Sequence, residues 1–321
     1  MILVATSLPP RVPRLESISC QKPIDIRDTV ISTWAAHGLQ VASVNTSSEL
    51  QKEPGLRKYF SDHRIKSFIV PGSAGGAPEY LPNLRAMLEV LCRVSSTTKI
   101  ILTNADIIFR LNNNTLNTIE NAEETNFFIG HRWDINHLRE LQSFNEDAAA
   151  VSSQIEGSYS APGMNHSGLD FFCASRKLFQ EALDLISPSL TLGMPWWDLL
   201  LPIALQAAGG RLHCLDPKQF LHVRHEDRSW EYGWYNRIGA RAVTHLQEEI
   251  GYRGESSPAW EWLKETEAAY NSHKLPLKRL RELKVRIGLY RRGMWQEPMN
   301  GWLAEVQNIT LSHTRLAHVT S

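Results

Sequence analysis

Lys99-Ile100-Ile101-Leu102-Thr103-Asn104-Ala105-Asp106 is the stretch that decides the fold. Its first five residues form an apolar run of strand length, and the run stops abruptly in polar residues that end on a carboxylate. Three similar runs precede it, at residues 2–6, 41–45 and 65–70. Helical spacing lies between them. Ile26, Val30 and Trp34 recur every four residues until Gly38, and Leu84, Met87, Leu88 and Leu91 share one helical face. Strands alternating with amphipathic helices predict a parallel sheet with right-handed crossovers in this half. Open sheets of that kind bind ligands beyond the carboxyl ends of their strands. Residues 6–11, 45–46 and 104–106 occupy those ends.

The pattern changes near residue 126. Residues 126–130 and 169–173 read as further strands, with a polar, glycine-containing loop at 145–165 between them. Leu178, Phe179, Ala182, Leu183 and Ile186 follow helical spacing. Another helix starts near Pro195 and runs to Gly209-Gly210, and residues 212–215 form a late strand. Beyond about residue 236 the signal is helical throughout. The division expected is a domain at 1–235, with halves at 1–110 and 111–235, and a helical appendage at 236–321.

Composition narrows the function classes. The 321 residues carry 34 Lys plus Arg against 34 Asp plus Glu, a formal net charge of zero. A dedicated nucleic-acid binder would show a basic excess, so none is expected as a partner. No apolar run approaches the roughly 20 residues needed to span a bilayer. The first residues lack the basic region and long apolar stretch of a secretory leader, so a cytoplasmic location is expected. The four cysteines, Cys20, Cys92, Cys173 and Cys214, are scattered without a CxxC and are expected to stay reduced.

Four clusters carry chemistry. Asp106 follows the fourth strand, where a carboxylate can hold a divalent cation against a diphosphate or simply cap a loop. His131-Arg132-Trp133-Asp134 follows another strand end. Asp170 lies within the apolar Gly168-Leu169-Asp170-Phe171-Phe172, and a buried carboxylate needs a partner: a ligand hydroxyl, Arg132 or Arg176. Asp198, behind Trp196-Trp197, falls in the first turn of a helix, whose dipole favours the anion. There it can serve as a general base or only as a stabilising helix acid. Finally, His222-Val223-Arg224-His225 follows the late strand, and its spacing allows one imidazole to be a metal ligand.

The order of these elements resembles the nucleotide-sugar glycosyltransferases of the GT-A fold over residues 1 to 230. Asn104-Ala105-Asp106 stands where that superfamily has Asp-x-Asp, followed by the tryptophan-rich segment ending in Asp198 and the late histidine pair. The resemblance implies a Rossmann-like mixed sheet flanked by helices. It implies a metal, Mn²⁺ or Mg²⁺, on Asp106 and His225, with His222 as the alternative ligand. Asn104 takes the place of the first acid, which touches ribose or donor sugar, and contributes no charge. Thr6, Arg11 and Asn45 would face the nucleotide. Arg132, Asp134, Asp170, Trp196 and Trp197 would bind sugar or acceptor, and Asp198 would be the base of an inverting transfer.

The partners implied are a nucleotide-sugar donor, UDP-linked by default, and a hydroxyl acceptor. Eight of the ten tryptophans lie after residue 190; their faces suit sugar rings, and equally the packing of a core. Residues 274–292 form a basic amphipathic pattern that suits an anionic membrane surface or a solvated face. Two other functions fit the same elements. One is a non-catalytic nucleotide- or sugar-binding protein. The other is a sugar-phosphate nucleotidyltransferase, which would want glycines after the first strand where Ser7-Leu8-Pro9-Pro10-Arg11 has none.

Overall fold

The computed structural model describes residues 2–8, 26–72, 81–94, 97–135, 165–194, 196–216 and 219–223, with 238, 241–242, 245–246 and 248–249. The first half runs β1 (Ile2–Thr6), α1 (Ile26–Ala36), β2 (Gln40–Asn45), α2 (Ser47–Lys52), α3 (Gly55–Asp62), β3 (Lys66–Ile69), α4 (Leu84–Val94) and β4 (Lys99–Thr103). Next come β5 (Ile107–Phe109), α5 (Asn113–Asn121), β6 (Asn126–Ile135), β7 (Asn165–Ser175) and α6 (Arg176–Ala182). A 3-10 turn, Leu183–Leu185, leads to α7 (Trp197–Ala207), β8 (Arg211–Cys214) and β9 (Phe220–Val223).

Among the described residues, nine strands join in one sheet in the order β3-β2-β1-β4-β7-β6-β9-β5, with β8 beside β6. The four strands read first from sequence are mutually parallel, as their helical crossovers require. β7 then runs antiparallel to β4, and β6 antiparallel to β7. The result is the mixed sheet flanked by helices that the GT-A resemblance implies.

Strand alternation divides the core into two layers. On one face Leu3, Ala5, Ile100 and Leu102 meet the apolar side of α4 with α6 and α7. On the other, Ile2, Val4 and Ile101 meet Val30, Ile31 and Trp34 of α1 together with Phe60, Ile119 and the β5–β9 pair. Ile238, Ala242 and Leu246, four residues apart, are buried in the first layer. The segment assigned to an appendage therefore begins against the core. From residue 250 on, including residues 274–292, it lies outside the described residues.

Two features differ from the sequence expectation. The stretch containing His222 is itself a strand, β9, rather than a loop after the last one. β6 serves two neighbours in turn: its first residues pair with β8 and its last with β9. It shifts register around Gly130, where a Cβ would collide with the Phe220 ring. Only glycine permits that approach of β9's phenylalanine to the β6 backbone.

Candidate functional site

The carboxyl end of β4 gathers polar side chains from four strands. β5 begins at Ile107, directly after Asp106, and pairs antiparallel with β9 in a register that sets Ile107 opposite His222. The Trp34 indole reinforces this placement by donating from Nε1 to the Ile107 carbonyl at 3.0 Å. Asp106 and His222 are thereby brought together, with Nε2 of the imidazole 3.4 Å from Asp106 Oδ2. The imidazole is buried, and the carboxylate stays one-quarter exposed.

Asp170 comes from β7 by way of a bulge. Phe171 pairs with Gly130 and Leu169 with His131, so Asp170 is an extra residue between two rungs of the β6–β7 ladder. Bulges of this kind re-aim a side chain that regular pleating would send elsewhere. The Thr103 hydroxyl donates to the Asp170 carbonyl at 2.7 Å, tying the bulge to the end of β4. The Asp170 carboxylate, itself buried, accepts from Asn104 Nδ2 at 2.6 Å and from Arg132 Nη1 at 3.2 Å. The sequence left Arg132 and Arg176 open as partners; the structure pairs Asp170 with Arg132. Arg176 begins α6, at the opposite end of β7.

The other predicted residues fall in several places. Thr6 is wholly buried at the end of β1. Asn45 is buried too, and its carboxamide is bound by the protein itself. Oδ1 accepts from Ser43 Oγ at 2.6 Å, and Nδ2 lies 3.0 Å from both the Leu8 carbonyl and Glu49 Oε2. Asp134 stands opposite His222 in the β6–β9 register. Asp198 occupies the first turn of α7 and is half-buried. Trp197 belongs to the core, its ring edge-on to Phe172 at 5.1 Å with 2% of the residue exposed. That leaves no open face for a sugar, so core packing, the other role the sequence offers, is the one it fills. Trp196 is nearly as buried and takes φ of 82°, a left-handed value uncommon for a large side chain. Arg11 and His225 lie outside the described residues.

Sequence reasoning missed Thr103 and Glu49. Thr103 was read as the last residue of a strand, and only the bulge opposite gives its hydroxyl a role. Glu49 closes a capping box with Thr46 at the start of α2, a signal visible in Thr46-Ser47-Ser48-Glu49. Its buried carboxyl is pushed above the usual range by desolvation, against the opposing pull of the Thr46 amide, Asn45, Ser7 and Lys52.

Manganese or magnesium is the cofactor the resemblance implies. No three or more His, Cys, Asp or Glu side chains cluster in metal-binding fashion among the described residues. Asp106 and His222 alone supply one oxygen and one nitrogen. Ions of this class take one or two protein ligands and complete their shell with phosphate oxygens and water. The pair therefore fits a metal that arrives with a diphosphate.

No family model matches the chain, and no curated protein does. Solved structures of similar outline include a mannosyltransferase from Pyrobaculum calidifontis in complex with GDP-Man and Mn²⁺. It is 14% identical at a TM-score of 0.45, over 97% of this chain and 86% of that one. A Methanothermobacter nucleotidyl transferase is 14% identical at a TM-score of 0.39, over 77% of this chain and 99% of that one. The bifunctional IspDF of Campylobacter jejuni is 11% identical at 0.36, over 67% of this chain and 49% of its own.

Proposed function

We propose that the chain is a glycosyltransferase that moves a sugar from a nucleoside diphosphate to a hydroxyl acceptor. The observation that carries this reading is the meeting of Asp106 and His222 beside the Asn104–Asp170–Arg132 group, at the carboxyl end of the parallel strands. Residues 1–110 would bind the nucleotide and 111–235 the acceptor. Asp106 and His222 would hold Mn²⁺ or Mg²⁺, whose chemistry is to neutralise charge on the departing diphosphate.

The chain's own residues do the rest. Asn104 faces the donor with a neutral amide, while Arg132 is kept in place by Asp170. Asp198, with its carboxylate favoured at the head of α7, takes the proton of the acceptor hydroxyl as that oxygen attacks the anomeric carbon. Attack opposite the leaving group inverts the anomeric centre. Among the described residues no helix is long and apolar enough to cross a membrane.

Thermal unfolding in the presence of UDP, GDP, CMP or dTDP, each with and without Mn²⁺, tests the reading. A ligand that binds only the folded chain stabilises it by about 2.7 kcal/mol at one hundred times its Kd. One nucleotide should raise Tm, and Mn²⁺ should enlarge the shift. No shift with any of the four sinks the donor site. Binding without sugar transfer would leave a nucleotide-binding protein in its place.

A further inference from the structure

We propose that Asp170 is a positioning residue that fixes which end of the Asn104 carboxamide meets the donor, so that the site recognises a donor hydroxyl by its proton. The inference rests on the nucleotide-sugar reading and deepens it.

An ionised carboxylate can only accept hydrogen bonds, so the amide facing Asp170 must turn its NH₂ inward. Nδ2 of Asn104 lies 2.6 Å from Asp170 Oδ1. The carbonyl oxygen of the same planar amide must then point away from Asp170, toward the half-exposed side of the loop. Asn104 makes no other side-chain hydrogen bond among the described residues. Donation to a charged acceptor also polarises the amide and strengthens its carbonyl as an acceptor.

Two contacts and a bulge make this orientation rigid. Arg132 holds the far oxygen of Asp170, the bulge aims the carboxylate at β4, and the Thr103 hydroxyl pins the bulge. The Asp170 side chain is only 5% exposed, so it acts through Asn104. An aspartate at 104 would set two carboxylates at this separation and repel. Asn104 and Asp170 thus share the work of recognition, with the charge behind and a neutral oxygen in front.

The donor offers such hydroxyls on its ribose and on its sugar, and fluorine at the 2′ position of the one or the 2 position of the other tells the two sources apart because it cannot donate. The probes are UDP against 2′-deoxy-2′-fluoro-UDP, and UDP-glucose against its 2-fluoro sugar analogue, with the guanosine and mannose counterparts if GDP is the nucleotide bound. Affinities are measured by calorimetry. Wild type should prefer hydroxyl to fluorine about tenfold in one of the two pairs, and that pair names the source. In Asp170→Asn the new amide gives its oxygen to Arg132 and its NH₂ to Asn104, which must flip; the outward NH₂ can still donate to a hydroxyl oxygen, so the preference should fall to about threefold rather than vanish. The Asn104→Asp/Asp170→Asn double variant restores an outward oxygen and should recover the wild-type preference.

Asn104→Ala leaves the Asp170–Arg132 pair intact and should lose the preference, which covers the case of an unfolded Asp170→Asn. An undiminished preference in Asp170→Asn, or any preference that survives in Asn104→Ala, overturns the inference and leaves the transferase reading standing. So does a double variant no better than Asp170→Asn. A wild type that binds none of the probes overturns both.

Discussion

The two polar clusters at the carboxyl edge of the sheet are built on opposite plans. At the ends of β1 and β2 the groups consume one another, apart from the buried Thr6 hydroxyl, which has no hydrogen-bond partner among the described residues. The Leu8 amide donates to Ser43 Oγ, Ser43 donates to Asn45, and Asn45 reaches back to the Leu8 carbonyl. Glu49 then collects the Asn45 amide and the Thr46 backbone N–H. At the ends of β4, β7 and β9 both signs of charge are present, and Asn104 and Asp106 stay partly exposed beside buried Asp170 and His222. A saturated buried network fixes the course of a chain, whereas exposed groups held by buried ones form a site. Both clusters lie where ligands bind such sheets, so position alone does not separate them.

The largest effect expected is at Asp106. Asp106→Ala should lower sugar transfer by about a hundredfold or more, the range for losing an electrostatic stabiliser of the transition state. It should leave Tm within a few degrees, because the carboxylate is part-exposed. It should also abolish any Mn²⁺ enhancement of nucleotide binding. If transfer falls only in proportion to a drop in Tm, Asp106 is no more functional than the β1–β2 cluster, and the contrast collapses.

Asn45→Ala tests the other cluster. The sequence places Asn45 with the nucleotide, while its contacts tie it to Leu8, Ser43 and Glu49. Truncation leaves buried polar groups without their partner, which costs about 1–3 kcal/mol. Denaturant unfolding should show that loss, with nucleotide affinity changed less than threefold. A tenfold loss of affinity at unchanged stability would return Asn45 to the donor site.

These outcomes bear on what the chain reveals before it folds. The parallel half was legible because each strand is a compact apolar run followed by a helix of clear period. Asp106 and Arg132 were legible as residues of the right chemistry after strand ends, although β6 in fact continues through Arg132, and Asp170 as a carboxylate within an apolar strand. Their pairing was not, since it depends on a bulge that skips Asp170, and register is a property of two strands at once. β5 was missed because a three-residue strand carries too little alternation to read, and β9 because it pairs only with β5 and the far end of β6, neither legible as a strand. The sequence names His222 as the alternative metal ligand to His225, but not that it shares a strand with the phenylalanine that requires Gly130. Trp197 shows the converse: an indole next to a candidate base looks functional until the Phe172 ring fills its face.

The smallest effect separates the clusters by pH. Glu49 is buried mainly among uncharged donors, and desolvation raises its carboxyl above the ordinary value of 4.5. A native-state pKa above the unfolded one means that the folded chain holds the proton longer. The resulting stability is fully present below pH 4.5 and is lost as pH rises through the raised value. Glu49→Gln removes that titration and keeps the cap, because glutamine serves a capping box as glutamate does. At about pH 4, below the ordinary carboxyl value, the variant should match wild type to within about 1 kcal/mol, the usual weight of a helix cap. From there to about pH 7 its stability relative to wild type should rise. The measurement is urea unfolding of both proteins at half-unit pH steps. A difference that stays flat would mean that Glu49 is ionised in the fold as readily as in water. Desolvation of Glu49 would then no longer set the β1–β2 cluster apart from the β4–β7–β9 cluster.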